Sequence, residues 1–282
     1  MTTHTALITG CSSGFGKLTA KTFSQRGWNV IATMRSPEKE TELRELPNVL
    51  VTKLDVTEPK SIASAIEQGL DQFGRIDVLV NNAGYGGHAL FEQATETSIR
   101  NMFETNVFGT MNTMRAMLPL MRAQGGGTII NVTSMAALIP VPGNSVYTAS
   151  KHATGGLTEA MALEYEPLGI RIRLVEPGAF PTTQFTANVD TTVTGNDSQL
   201  EVHEHRLRQH FAKQVEQVAA SSDSVNDPQN VADKIYECAT ENTPIHNPVG
   251  SDAEMLVGMI AAAESRQAFI DQVTPLLMPS LA

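Results

Sequence analysis

What most constrains this chain is an alternation. Short apolar runs, each the length of one strand, recur at residues 6–9, 29–33, 49–54, 76–81, 128–133 and 171–175, with helix-length amphipathic stretches between them. Strands separated in this way are joined by crossovers, which sets them parallel in one sheet with helices over both faces. The helix ends are legible too. Ser36-Pro37 and Thr57-Glu58-Pro59 have the form of helix starts, with a cap and a proline in the first turn. Gly27, Gly74 and Gly169 stand where helices should stop. Six such strands predict a doubly wound, Rossmann-type α/β fold whose ligand crevice lies at the carboxyl ends of the strands.

The pattern loosens after Pro177. Residues 183–226 are rich in Thr, Asn, Asp, Ser, Gln and His, with one helical stretch near 201–218, and they read as a substrate lid inserted after the sixth strand. Regular structure resumes at Asp227-Pro228 with a helix to about Glu241, a short seventh strand around 245–250 and a closing helical region to residue 282. The expectation is one domain, residues 1–282, on a seven-stranded, mostly parallel sheet.

A chain of 282 residues that is 41% hydrophobic and 18% charged can bury a large core. Its formal net charge of −10 argues against nucleic acid or an anionic membrane surface as partner. No run reaches membrane-spanning length, and the first residues lack the basic and apolar regions of a signal peptide. The two cysteines, Cys11 and Cys238, fit no metal-ligand spacing, and thiols this sparse suit a reducing compartment. A cytoplasmic protein is expected.

An acidic protein that binds phosphate needs local help, and the first strand runs straight into it. Gly10, Ser12, Ser13, Gly14, Phe15 and Gly16 form a turn between that strand and a helix. Glycines there allow a sharp turn and close approach to a pyrophosphate, while the helix N-terminus offers unpaired N–H groups. A glycine cluster alone is a weak signal; its place at the head of a strand–helix–strand unit strengthens it. At the end of the second strand, where an acid would bind the ribose hydroxyls of NAD, the chain has Met34 and Arg35. An arginine there can pair with the 2′-phosphate of NADP, although any surface loop can carry a solvated arginine. NADP(H) is therefore the preferred cofactor, with NAD(H) as the second candidate. Asp55-Val56 after the third strand and Asn82-Ala83-Gly84 after the fourth also suit a nucleotide site, though turn formation alone would explain each.

Taken together, Thr9-Gly-x3-Gly-x-Gly16, Asn81-Asn-Ala-Gly84, Asn106, Ser134, Tyr147-x3-Lys151 and Pro177-Gly178 make the chain resemble the short-chain dehydrogenase/reductase family, in its single-domain branch. The wording of Leu7-Ile-Thr-Gly-Cys-Ser-Ser-Gly and Ala32-Thr-Met-Arg35 is most similar to the hydroxysteroid and retinol dehydrogenase group. The resemblance implies a hydride-transfer enzyme that interconverts a ketone or aldehyde and an alcohol. It makes Tyr147 the general acid/base, with Lys151 one helical turn later stabilising the phenolate and holding the nicotinamide ribose. Asn106 falls within a long helical stretch over 98–122. The resemblance implies that Ser134 orients the substrate oxygen, and that Asn106 bends its helix and binds a water leading to Lys151. It also places Pro177, Gly178, Phe180 and Thr182 at the nicotinamide carboxamide. The match is partial at Phe180, where the family commonly has a smaller aliphatic residue. Homodimers or homotetramers through the helices containing Asn106 and Tyr147 are expected, as is a small carbonyl or alcohol substrate, bulky and apolar in that subgroup.

Other features weigh less. His203, Glu204, His205 and His210 could be read as metal ligands, but neighbouring histidines in a polar lid are usually solvated, and no metal is expected. Tyr85, Gly86, Gly87 and His88 could line the substrate site or form a surface turn. Met102, Met111, Met114, Met117 and Met121 fit helix packing. The alternative function is a catalytically silent dinucleotide-binding sensor or scaffold, against which the presence of both Tyr147 and Lys151 argues.

Overall fold

The computed structural model describes residues 3–183, 197–221 and 227–279. Seven strands, β1 (Thr5–Ile8), β2 (Asn29–Met34), β3 (Val49–Lys53), β4 (Val78–Asn81), β5 (Gly127–Val132), β6 (Ile170–Pro177) and β7 (His246–Val249), form one sheet in the order β3-β2-β1-β4-β5-β6-β7. Every pairing is parallel, so the sheet is parallel throughout rather than mostly so. The chain reverses direction across the sheet between β1 and β4, and a crevice at such a switch point opens at the strands' carboxyl ends. β1 and β4 are buried at every residue, as strands covered on both faces must be.

Around the sheet lie α1 (Gly14–Gln25), α2 (Pro59–Phe73), α3 (Glu96–Phe103), α4 (Gly109–Ala123), α5 (Ser145–Tyr165), α6 (Ser198–Ser221), α7 (Pro228–Thr240), α8 (Ser251–Ala262) and α9 (Arg266–Leu277). One layer of core joins Phe23 and Trp28 to Val231, Ile235 and Cys238 beneath α1 and α7. The other joins Ile62, Met114, Met117, Met121 and Ala162 beneath α2, α4 and α5. A buried polar ladder crosses this second layer. Thr113 Oγ1 donates to Asn81 Oδ1, Asn81 Nδ2 to Asn131 Oδ1, and Asn131 Nδ2 to Thr158 Oγ1, all at 2.6–2.8 Å. Pairing the buried amides in this way removes the cost of dehydrating them.

Three expectations need correction. The helix start at Ser36-Pro37 leads only to single 3-10 turns at Pro37–Lys39 and Glu42–Glu45. The Ser36 hydroxyl caps nothing, and Glu40 turns inward to accept from the Leu43 N–H at 3.0 Å and to pair with Lys17 at 3.2 Å. The long helix expected over 98–122 is two helices joined by a π turn at Glu104–Phe108. β4 begins at Val78, two residues inside the expected run, although Asp77 still bonds both neighbouring strands, through its N–H to Thr5 O and its carbonyl to the Thr128 N–H.

The helix stops at Gly74 and Gly169 are left-handed caps. Asp227 caps α7 through the Gln229 N–H, and β7 lies within the seventh run. Of the lid, α6 is described, whereas 184–196 and 222–226 fall outside the described residues. Among the described residues no helix is long and apolar enough to cross a membrane.

Candidate active site

The turn between β1 and α1 is held from across the switch point. Thr9 Oγ1 donates to Val80 O and accepts the N–H groups of Asn82 and Ala83, each at 3.0 Å. Asn82 Nδ2 in turn donates to the carbonyls of Thr9 and Gly10 at 3.0 and 3.2 Å. Gly10 has φ 74° and packs so close to Ala83 that a Cβ would stand 2.9 Å from its Cα. A Cβ on Gly16 would collide with the Gly10 carbonyl, whereas one on Gly14 would meet nothing within 4 Å. Backbone therefore packs on backbone beneath the turn while its Gly14 side is open, the shape of a cradle for a pyrophosphate. Ser12, Ser13 and Phe15 lie in this turn and at the first residues of α1. Cys11 does not face the cradle. It is buried, and burial pushes its thiol up to about 12.

At the end of β2 a cleft of about 250 Å³ opens, lined by Ser12, Met34, Arg35, Ser36, Lys39 and Glu40. Arg35 and Lys39 are exposed at its mouth, and the Glu40 carboxylate is occupied by Lys17 and Leu43. Asp55 binds Thr57 through its Oδ1, which accepts the main-chain N–H at 3.0 Å and the hydroxyl at 2.8 Å. It thus acts as a turn former whatever else it does. Val56 is buried and lies where a side chain on Gly109 would stand.

Tyr147 and Lys151 share one ridge of α5, with Lys151 Nζ 5.6 Å from the Tyr147 ring centre. Both are buried. The Tyr147 hydroxyl is hydrogen-bonded to Ser134, whose Oγ also accepts the Ala136 N–H at 3.2 Å. Lys151 Nζ donates to Val132 O at 3.2 Å. Burial pushes the Tyr147 phenol up to about 12, against a smaller downward pull from Ser134, and burial pushes Lys151 down to about 8. Among the protein's own groups, desolvation therefore outweighs the lowering of Tyr147 expected from Lys151.

Asn106, buried in the π turn, clamps the main chain of Tyr85. Its Oδ1 accepts the Tyr85 N–H at 3.1 Å, and its Nδ2 donates to Tyr85 O at 2.9 Å and to Ser150 Oγ at 3.1 Å. The Asn106 carbonyl accepts the hydroxyls of Thr110 and Thr154. A Cβ on Gly84 would stand 3.1 Å from Asn106 Oδ1 and 3.7 Å from Lys151 Nζ, so these three residues converge.

Pro177 ends β6. The Gly178 N–H reaches Val249 O at 2.9 Å, and the Ala179 N–H reaches Asp252 Oδ2 at 2.7 Å. Phe180 is buried edge-on against Phe15, ring centres 5.3 Å apart, which lays the segment after β6 over the start of α1. Thr182 is exposed in the turn that follows.

The model of the short chain dehydrogenase family matches residues 4–194. The chain belongs to the short-chain dehydrogenase family. It is an oxidoreductase of the carbonyl/alcohol type. This dehydrogenase is 37% identical to the uncharacterized oxidoreductase YusZ of Bacillus subtilis over 263 residues, 89% of this chain and 90% of that one. It is 43% identical to a 3-ketodihydrosphingosine reductase of Bacteroides thetaiotaomicron over 182 residues, 64% of this chain and 65% of the relative. A short chain dehydrogenase of Burkholderia cenocepacia, solved in complex with NADP, superimposes with a TM-score of 0.75 at 26% identity, covering 98% of both chains.

In the lid of this dehydrogenase, His205 meets Gln209 and His210 meets Gln214. Glu204 on α6 binds Arg208 and lies 3.4 Å from His88, while His210 reaches Leu276 O on α9 at 3.0 Å. Among the described residues no group of three His, Cys, Asp or Glu could hold a metal ion. His88 is buried beneath α6 rather than set in a surface turn, and burial lowers its pKa. Sequence reasoning missed Lys39, Ser150 and Asp252. Lys39 lines the cleft at the end of β2, and Ser150 and Asp252 meet tertiary neighbours, none of which leaves a spacing signal.

Proposed function

We propose that the chain is an NADP(H)-dependent carbonyl reductase, equally a secondary-alcohol dehydrogenase, in which Tyr147 is the proton donor and acceptor. The observation that carries this reading is the buried group in which Tyr147 bonds Ser134 and Lys151 follows one turn later, beside the glycine cradle. The cradle fits a pyrophosphate, and the cleft with Arg35, Lys39, Ser12 and Ser36 fits a 2′-phosphate. The bound nicotinamide would supply hydride.

The remaining work falls to this chain. Gly10, Ser12, Ser13, Gly14, Phe15 and Gly16 hold the pyrophosphate; Asp55, Val56, Asn82, Ala83 and Gly84 line the adenosine and ribose side; Pro177, Gly178, Phe180 and Thr182 meet the carboxamide. Ser134 orients the substrate oxygen toward the Tyr147 hydroxyl. A phenol raised by burial keeps its proton at neutral pH, the form that protonates a carbonyl oxygen in reduction, while the net direction is set by the cofactor ratio. One of the three Lys151 N–H donors is spent on Val132, which leaves two for ribose hydroxyls. Asn106 holds the loop through Gly84 and Tyr85 against this group.

A bulky apolar carbonyl compound is the proposed substrate. The apolar cluster that surrounds Tyr147 with Met102, Ile139, Leu256, Phe269 and Val273 supports it, as does the sphingoid ketone in the name of the Bacteroides relative. Exposed Phe108 and Leu163, on the segments that carry Asn106 and Tyr147, support self-association. Two buried, unpaired cysteines and the acidic charge suit the cytoplasm.

The test is consumption of NADPH and of NADH with a panel of long-chain, aryl and steroid ketones. Wild type should prefer NADPH. Arg35→Ala should raise its KM for NADPH about tenfold or more and leave the KM for NADH unchanged, the loss of one charge-assisted phosphate contact. Equal use of both nucleotides by wild type, indifferent to Arg35→Ala, would overturn the cofactor assignment.

A further inference from the structure

Asp252, the second residue of α8, is given no role in the proposed reaction. Its carboxylate nevertheless lies against the turn that follows β6. Oδ2 accepts the Ala179 N–H at 2.7 Å. Oδ1 is sealed from solvent without a hydrogen bond of normal geometry, and it occupies the place where a Cβ on Gly178 would stand. Gly178 does not have the positive φ that other glycines of the chain adopt. The carboxylate, rather than the backbone, therefore excludes a side chain at Gly178.

Burial raises the Asp252 pKa against the pull of the Ala179 N–H and of the first N–H groups of α8. A carboxylate with one oxygen sealed from solvent and without a partner of normal geometry is costly to keep. Costly groups of this kind gather at functional sites. The turn also sits at the Tyr147 end of the crevice. β6 neighbours β5, which leads to Ser134, whereas Arg35 lies beyond β1 at the end of β2.

We propose that Asp252 is a positioning residue of the nucleotide site: it keeps Gly178 bare and fixes Ala179, so that the main chain of residues 177–180 is shaped to receive the nicotinamide end. This rests on the nucleotide reading above, and it makes α8 part of the site. The helix is not merely a cover for the sheet.

Binding of NADPH and of 2′-phospho-ADP-ribose, which lacks the nicotinamide, is measured by calorimetry on wild type, Asp252→Ala and Asp252→Asn. All three should bind 2′-phospho-ADP-ribose within about twofold of one another. Asp252→Ala should bind NADPH about tenfold more weakly, and Asp252→Asn, which retains an oxygen for the Ala179 N–H, within about threefold of wild type. If Asp252→Ala does not fold, Asp252→Glu, which extends the carboxylate by one methylene, must show the same split. A folded Asp252→Ala protein that binds NADPH as wild type does, or that loses both ligands equally, overturns the proposal. Wild type that binds neither ligand overturns the nucleotide reading itself.

Discussion

Lys151 is a cation in a place that disfavours it. Burial lowers its pKa from 10.5 to about 8, a penalty of about 3 kcal/mol on the charged form. Between those two values the unfolded chain binds the proton and the folded chain does not, so stability rises with pH across that window. Tyr147, raised from 10.0 to about 12, acts in the opposite sense: above pH 10 the folded chain keeps a proton that the unfolded chain releases, and stability falls. Lys151→Met should therefore be more stable than wild type at pH 7 by about 2 kcal/mol, once about 1 kcal/mol is returned for the unpaired Val132 carbonyl. It should also lack the rise between pH 8 and 10.5. Urea unfolding across that range checks both; a less stable variant at pH 7 would mean that Lys151 is retained for the fold. The four-residue spacing of Tyr147 and Lys151 was legible in the sequence, since one helical turn sets it. The direction of their pKa values was not, because it depends on how much protein closes over them.

The element that most changes the reading is the π turn at Glu104–Phe108. Hydrophobic spacing over 98–122 suits one helix, and nothing in that spacing reports an extra residue in the turn. Tertiary partners account for it. The Asn106 side chain faces Tyr85 and Ser150, and the hydroxyls of Thr110 and Thr154 take its carbonyl. Asn106→Ala removes three side-chain hydrogen bonds and should destabilise the protein by about 2–4 kcal/mol. The Tyr85 amide should lose its protection against hydrogen exchange. Unchanged exchange at Tyr85 would show that the clamp does not hold the loop. A similar limit applies to residues 36–46, where Ser36 and Pro37 are sound helix-start signals that the inward turn of Glu40 overrides. At Asp227-Pro228 the same kind of signal succeeds, with the Asp227 side chain accepting the Gln229 N–H.

At the scale of the whole molecule, alternation of strands and helices was enough to make the sheet parallel and doubly wound, though not to give its strand order, because parallel strands need crossovers and crossovers need helices. It was also enough to locate the crevice, since the glycine turn, Arg35, Asn82, Ser134 and Pro177 all lie near strand carboxyl ends. Contacts that close the molecule over that crevice were out of reach. Asp252 approaching Gly178 and α6 reaching His88 and Leu276 join parts of the chain about 70 residues or more apart. The net charge of −10 gives the same lesson in electrostatics: it argues against polyanionic partners in general, yet Arg35 and Lys39 line one cleft, where the proposed function puts a phosphate.

The proposed reaction turns on the Tyr147 hydroxyl supplying the proton. It is tested most directly by NADPH turnover and NADPH affinity measured side by side on wild type and Tyr147→Phe with a ketone that wild type reduces. Affinity should stay within about twofold, and kcat should fall by at least about 100-fold. A Tyr147→Phe protein that binds NADPH and still reduces the ketone at the wild-type rate would contradict it.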